Sequence, residues 1–164
     1  LTVQGHYEDQ IDLQWQIDAP ALAQFLPGVS GRITGSGFAT GDPSQPDVDG
    51  DLTVESLATS TFSIEELQIA VAGVAGEYAL DVSLLDARLE GEGETRISSA
   101  TVNATGGLES QSLTASIESS LANFDLSVSG AMIDPINQIW EGTVNRWATG
   151  VLKNQLRSAG KTIS

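Results

Sequence analysis

The side chains best equipped for chemistry in this chain are its one histidine and its carboxylates, 22 Asp and Glu against 7 Lys and Arg. His6 stands beside Tyr7, Glu8 and Asp9 in a segment that reads as a turn. A catalytic histidine needs an oriented nucleophile and a partner that holds its tautomer, and the chain has no G-x-S-x-G elbow to supply one. His6 therefore reads as an exposed turn residue. Asp47, Asp49 and Asp51 surround Gly50 in a way that suggests calcium, but an EF-hand loop places its glycine sixth and a bidentate Glu twelfth. Counted from Asp47, Gly50 is fourth and Ala58 twelfth, so the segment reads as a solvated strand start. Glu65 with Glu66, and Glu90, Glu92 and Glu94, could pair as glycosidase carboxylates, yet no stacking aromatics cluster near them. Gly160-Lys161-Thr162 imitates the end of a phosphate loop, with Gln155 where the first glycine belongs. Asn103-Ala104-Thr105 has the form of a glycosylation acceptor and is read as chance. These readings assign no catalytic residue, no metal ligand and no cofactor.

Composition narrows the class further. At 164 residues the chain can bury a sizeable core as one ordinary domain. Its opening at Leu1 inside an alternating run reads as an internal stretch of something longer. A net charge of −15 repels polyphosphate backbones and anionic leaflets, which removes nucleic acid from the partner classes. With no cysteines, disulfides, thiolate nucleophiles and thiolate metal sites are all excluded. The longest apolar run, Ile69 to Ala75, falls far short of the ~20 residues of a membrane-spanning helix.

The elements that carry these side chains follow a period of two. Leu13, Trp15 and Ile17 share one face of a strand while Asp12, Gln14, Gln16 and Asp18 share the other. Leu52 and Val54 repeat the pattern, as do Leu67, Ile69 and Val71. Tyr78, Leu80, Val82 and Leu84 hold one phase, and Leu85, Ala87 and Leu89 the other, which predicts a bulge or break near Leu84 and Leu85. Roughly ten strands of about 8–12 residues follow, ~25–40 Å long. Two segments read otherwise. Leu22, Phe25 and Leu26 fall at helical spacing between Pro20 and Pro27-Gly28, predicting a short helix near residues 20–27. Val151 to Ser158, with Lys153 and Arg157 outside, is open between a short basic helix and a frayed tail, so residues 1–150 read as one β unit and 151–164 as a tail.

A sandwich fills its interior with large aromatics, whereas this chain has 3 Trp, 2 Tyr and 4 Phe and inward positions of Leu, Ile, Val, Ala and Gly. A sheet with one aliphatic and one hydroxyl- and carboxylate-bearing face must cover the first. It folds on itself or binds something apolar.

Several segments together carry a family resemblance. They are Leu13 to Gly28, Gly31 to Gly41, Leu89-Glu90-Gly91-Glu92-Gly93, Ala100 to Leu108, Leu113 to Ile117, Leu126 to Ala131 and Trp140 to Val144. In order and spacing they resemble the periplasmic β-sheet region of the TamB family over about Leu1 to Trp147. Ser112 departs from the pattern, since many members carry His before the Leu at 113. The resemblance implies an all-β fold, a long curled antiparallel sheet forming an open groove, or β-taco.

As function, the resemblance implies a non-catalytic segment of a periplasm-spanning conduit that moves phospholipid between inner and outer membranes and supports outer-membrane assembly. The full-length protein would be anchored in the inner membrane of a diderm bacterium and meet an Omp85-type outer-membrane barrel. Its partners would be acyl chains and adjacent segments of the same chain. The expected groove lining is Leu13, Trp15, Ile17, Ile33, Leu52, Val54, Leu67, Ile69, Val71, Leu80, Val82, Leu84, Leu89, Leu113, Ile117, Leu126 and Val128. Trp15, Trp140 and Trp147 could be rim or floor anchors, or pack against the edge. Each methylene moved from water to such a lining is worth ~0.8 kcal/mol. A smooth floor without inward charge favours sliding over capture. Two other readings stay open: a scaffold that captures outer-membrane β-strands by strand addition, and a sealed structural solenoid.

Overall fold

The computed structural model describes residues 1–7, 9–90, 95–107, 109–134, 139–151 and 154–163, with backbone alone at 7, 133–134, 139–140, 145–151 and 154–163. The sequence expectations for Glu8, for Gly91 to Gly93 with Glu92 and Glu94, and for the side chains of Trp140 and Trp147 lie outside the described residues. Eleven strands follow one another, β1 (Thr2–Tyr7), β2 (Ile11–Ala19), β3 (Ser30–Gly41), β4 (Asp47–Ala58), β5 (Phe62–Val74) and β6 (Glu77–Leu89). They continue as β7 (Thr95–Gly106), β8 (Gln111–Ser119), β9 (Asn123–Asp134), β10 (Ile139–Val151) and β11 (Asn154–Ile163). All pair antiparallel in sequence order as one curled, unclosed sheet.

The sheet is a single layer. Among the described residues only Leu22, Val54 and Ala87 are buried hydrophobics, and no side chain is fully buried. The chain exposes 11173 Å², where a compact 17.1 kDa chain exposes roughly 7,800 Å². Two layers pressed face to face would remove that excess and bury many aliphatic side chains.

Two expectations are corrected. Near Pro20 the helix is one 3₁₀ turn, Leu22–Gln24, and its three apolar residues do not share a face: Leu22 is buried, whereas Phe25 and Leu26 are exposed. Without a side-chain cap, and with Gly28 at φ 81° just beyond, the turn cannot lengthen. The C-terminal stretch is no helix: Asn154–Ile163 is β11, registered on β10 from Val151↔Asn154 to Gly142↔Ile163. An isolated helix this short is marginal, while pairing along an open edge satisfies the backbone.

The break expected near Leu84 and Leu85 lies one residue later and runs through four strands. Between β3 and β4 the register shifts, with Ser30↔Ala58 and Arg32↔Glu55, so β4 carries one extra residue. Between β7 and β8 it shifts again, with Ile97↔Ser119 and Ser99↔Glu118, so β7 carries one extra. From β4 to β7 no shift intervenes, and the extra residues Ser56, Glu65, Asp86 and Ser98 line up in one row. Ser56 and Asp86 sit at φ 51° and 44°, the left-handed region that L-residues rarely occupy. Opposite Ser56, Gly31 sits at φ 129°, where a Cβ would fall 2.9 Å from the Leu57 Cα. Bulges bend the strands that carry them, so this row is a crease.

Candidate functional site

Register sorts the aliphatic residues of the strands into straight rows. Ile17, Gly35, Leu52, Ile69, Val82, Val102, Ala115 and Leu126 are partners in succession from β2 to β9. Trp15, Gly37, Gly50, Val71, Leu80, Ala104, Leu113 and Val128 form a second row. Ala19, Ile33, Val54, Leu67, Leu84, Ala100, Ile117 and Phe124 form a third. Leu13 leads a fourth through Ala39, Val48, Gly73, Tyr78, Gly106 and Gln111. Directly paired residues share a face and alternate residues do too, so all four rows lie on one side. None of these positions is charged.

Beyond the crease, Ser119 lies two residues from Ile117 and thus on the same face, and it pairs with Ile97. Ile97 in turn lines up with Ala87, Ile64 and Leu57. The extra residue in each of β4 to β7 therefore returns an apolar lane to the side of the four rows. Leu89 follows Ala87 in that phase, while Leu85, half exposed and paired with Glu66, faces the other way. A recess of about 530 Å³ on the apolar side is lined by Val71, Tyr78, Leu80, Leu113 and Val128 among others.

Aromatic residues overlie glycines, a pairing that the sequence patterning did not reveal. A Cβ on Gly37 would lie 2.6 Å from Trp15 Nε1, and one on Gly50 3.2 Å from Trp15 Cζ2. The indole therefore lies across two neighbouring strands that are bare of side chains there. Tyr78 covers Gly73 in the same way, its Cδ1 2.0 Å from the would-be Cβ. A glycine directly opposite an aromatic is the signal that could have found these pairs.

The opposite face is polar and cross-linked. Ser116 donates to Asp125 at 2.8 Å, Asn103 donates to Asp81, and Ser36 donates to Asp51 at 3.4 Å. His6 is not in a turn: it belongs to β1, opposite Asp12 and in phase with Gln4. Asp47, Asp49 and Asp51 alternate along β4 on that face, and among the described residues no group of three or more potential metal ligands occurs. Asp47 accepts the Ala75 N–H at 3.1 Å, and the Tyr78 hydroxyl donates to the Pro46 carbonyl at 3.2 Å, tying two loops of one rim together. At the crease, Arg88 Nη2 donates to Asp86 Oδ2 at 2.9 Å and Arg96 Nε to Asp86 Oδ1 at 2.7 Å. These bonds, from Arg88 first and Arg96 second, hold the Asp86 carboxyl below its usual range. Backbone and hydroxyl donation from Ser44 does the same for Asp42.

An uncharged apolar trough one layer thick, with a hydrogen-bonded outer wall and no assembled catalytic group among the described residues, defines a β-groove protein. The sequence matches the family model for the TamB N-terminal domain over residues 1–159, and the chain belongs to the TamB family. The match extends past residue 150, into β11. Neither a curated protein nor a solved structure gives a match. TamB-family proteins in general are non-catalytic transport proteins that span the periplasm from an inner-membrane anchor and partner an Omp85-type barrel. No helix among the described residues is long and apolar enough to cross a membrane.

Proposed function

We propose that this chain is a segment of a periplasmic conduit that passes phospholipid between the inner and outer membranes, its tails lying on the apolar rows. The observation that supports this most directly is the run of in-register, mostly apolar positions across β2 to β9 without a single charge. Strands are ~4.8 Å apart, so a tail lying across them meets an uncharged position at each step. Sites that differ little in depth allow movement between them, and the groove-lining residues named from the sequence, Leu89 included, are the ones we assign to this floor. In the full-length protein, adjacent segments would extend the trough, and one end would meet an Omp85-type barrel.

The test is mass spectrometry of lipid extracted from the purified chain. Co-purifying phospholipid, reduced when Leu80, Val82 or Ile69 is made charged, supports the conduit. Recovery of no lipid, together with cross-links from the trough to an extended peptide, would favour strand capture instead.

A further inference from the structure

Without the crease, the same residues would line the trough differently. If β6 ran extended through Asp86, alternation from Leu84 would bring Asp86 and Arg88 to the apolar side and turn Ala87 outward. An extended β7 would likewise bring Ser98 and Arg96 inward, counting from Ala100. The bend at Asp86, φ 44°, prevents this. Ala87 stays on the apolar side, 6% exposed, and both guanidiniums stay on the polar side. There, Asp86 accepts two bonds from each arginine, from Arg88 through Nη2 at 2.9 Å and Nε at 3.4 Å and from Arg96 through Nε at 2.7 Å and Nη2 at 3.1 Å. Its side chain is only 13% exposed, whereas the two arginines are about half exposed.

We propose that Asp86 is a positioning residue of the conduit: it sets the left-handed bend and holds Arg88 and Arg96 on the polar side, away from the phosphates of passing lipid. The inference rests on the phospholipid reading above. A guanidinium binds phosphate through two parallel charge-assisted bonds. Two of them on the inner lip would turn a floor of equal sites into a trap. Asp tolerates the left-handed region and Asn does too, whereas a β-branched residue there is strongly disfavoured.

Two measurements on the 164-residue chain test this. The first reads which way the strand faces. The chain has no cysteine, so Ala87→Cys supplies a single thiol, expected to react slowly with a charged maleimide. Adding Asp86→Val should speed that reaction at least severalfold, and Asp86→Asn should not. Unchanged reactivity in Asp86→Val overturns the role of Asp86 in the bend. The second reads release of fluorescent phosphatidylglycerol and of a diacylglycerol with the same tails. Asp86→Val should slow release of the phosphate-bearing probe by about tenfold or more, as one or two charge-assisted bonds would, and leave the diacylglycerol unaffected. Adding Arg88→Gln and Arg96→Gln should restore the rate. Equal slowing of both probes, or no restoration, overturns the proposal. Should Asp86→Val not fold, Ala87→Arg sets a guanidinium on the inner lip with the crease intact. It must slow the phosphate-bearing probe alone, or the proposal fails. A wild-type chain that takes up neither probe refutes the conduit itself, while the labelling still decides the geometry of the crease.

Discussion

Replacing Leu80 by Asp separates a binding floor from a structural core. Leu80 lies mid-row between Val71 and Ala104, on the wall of the 530 Å³ apolar recess. The row from Val71 to Val128 crosses β5 to β9, ~19 Å at the usual strand spacing. A carboxylate at position 80 would hold water on the floor, and a tail would lift away for about half a strand spacing on either side. That withdraws about four methylenes, ~3 kcal/mol at ~0.8 kcal/mol each, which weakens Kd by more than about a hundredfold. In the empty protein the leucine is already 38% exposed, so the change removes only ~1–2 kcal/mol of burial. Ser83→Asp, exposed on the polar side of the same strand, is the control. Titration with a fluorescent phospholipid beside a thermal melt should show Leu80→Asp folded and nearly unable to bind, with Ser83→Asp close to wild type in both. Equal loss in the two variants, or wild-type affinity in Leu80→Asp, would falsify the assignment of this face as the lipid floor.

Three further outcomes are expected. Ala75 and Gly76, at φ 52° and 85°, form a two-residue turn of the type that prefers Asn-Gly; Ala75→Asn should raise stability by about 1 kcal/mol, and an unchanged or lowered denaturation midpoint would contradict this. Gly37→Ala drives a Cβ to 2.6 Å from both the Trp15 indole nitrogen and the Asp49 carbonyl, so we expect a loss of ~1–3 kcal/mol with red-shifted tryptophan emission. Gly50→Ala, whose nearest contact is 3.2 Å, should be milder, and the opposite ranking would mean that the indole does not lie as described. Because Asp86 is held below the usual carboxylate range by Arg88 and Arg96, its contribution is complete above that range and fades as pH falls through the depressed value. The Arg96 Nε–H resonance should therefore titrate at a lower pH than a free aspartate and stay flat in Asp86→Asn; titration at or above the ordinary range would show that the pair does not form in solution.

The amino-acid sequence by itself determined the all-β class, because a period of two is a property of each strand alone. It also determined the uncharged phase of those strands, read from Leu13, Trp15 and Ile17 or from Leu80, Val82 and Leu84 without knowledge of any partner. The switch of phase after Leu84 was legible as a break. That the break recurs at Ser56, Glu65, Asp86 and Ser98 in one line was not, because register is a pairing between residues far apart in the chain. For the same reason the cover of Trp15 over Gly37 and Gly50, the clasp of Asp86 on Arg96 and the strand at Asn154–Ile163 belong to the tertiary structure. Only the structure also decided that the apolar face stays open. Alternation specifies which side chains share a face, whereas curvature and the unclosed edges settle whether a second layer ever covers it.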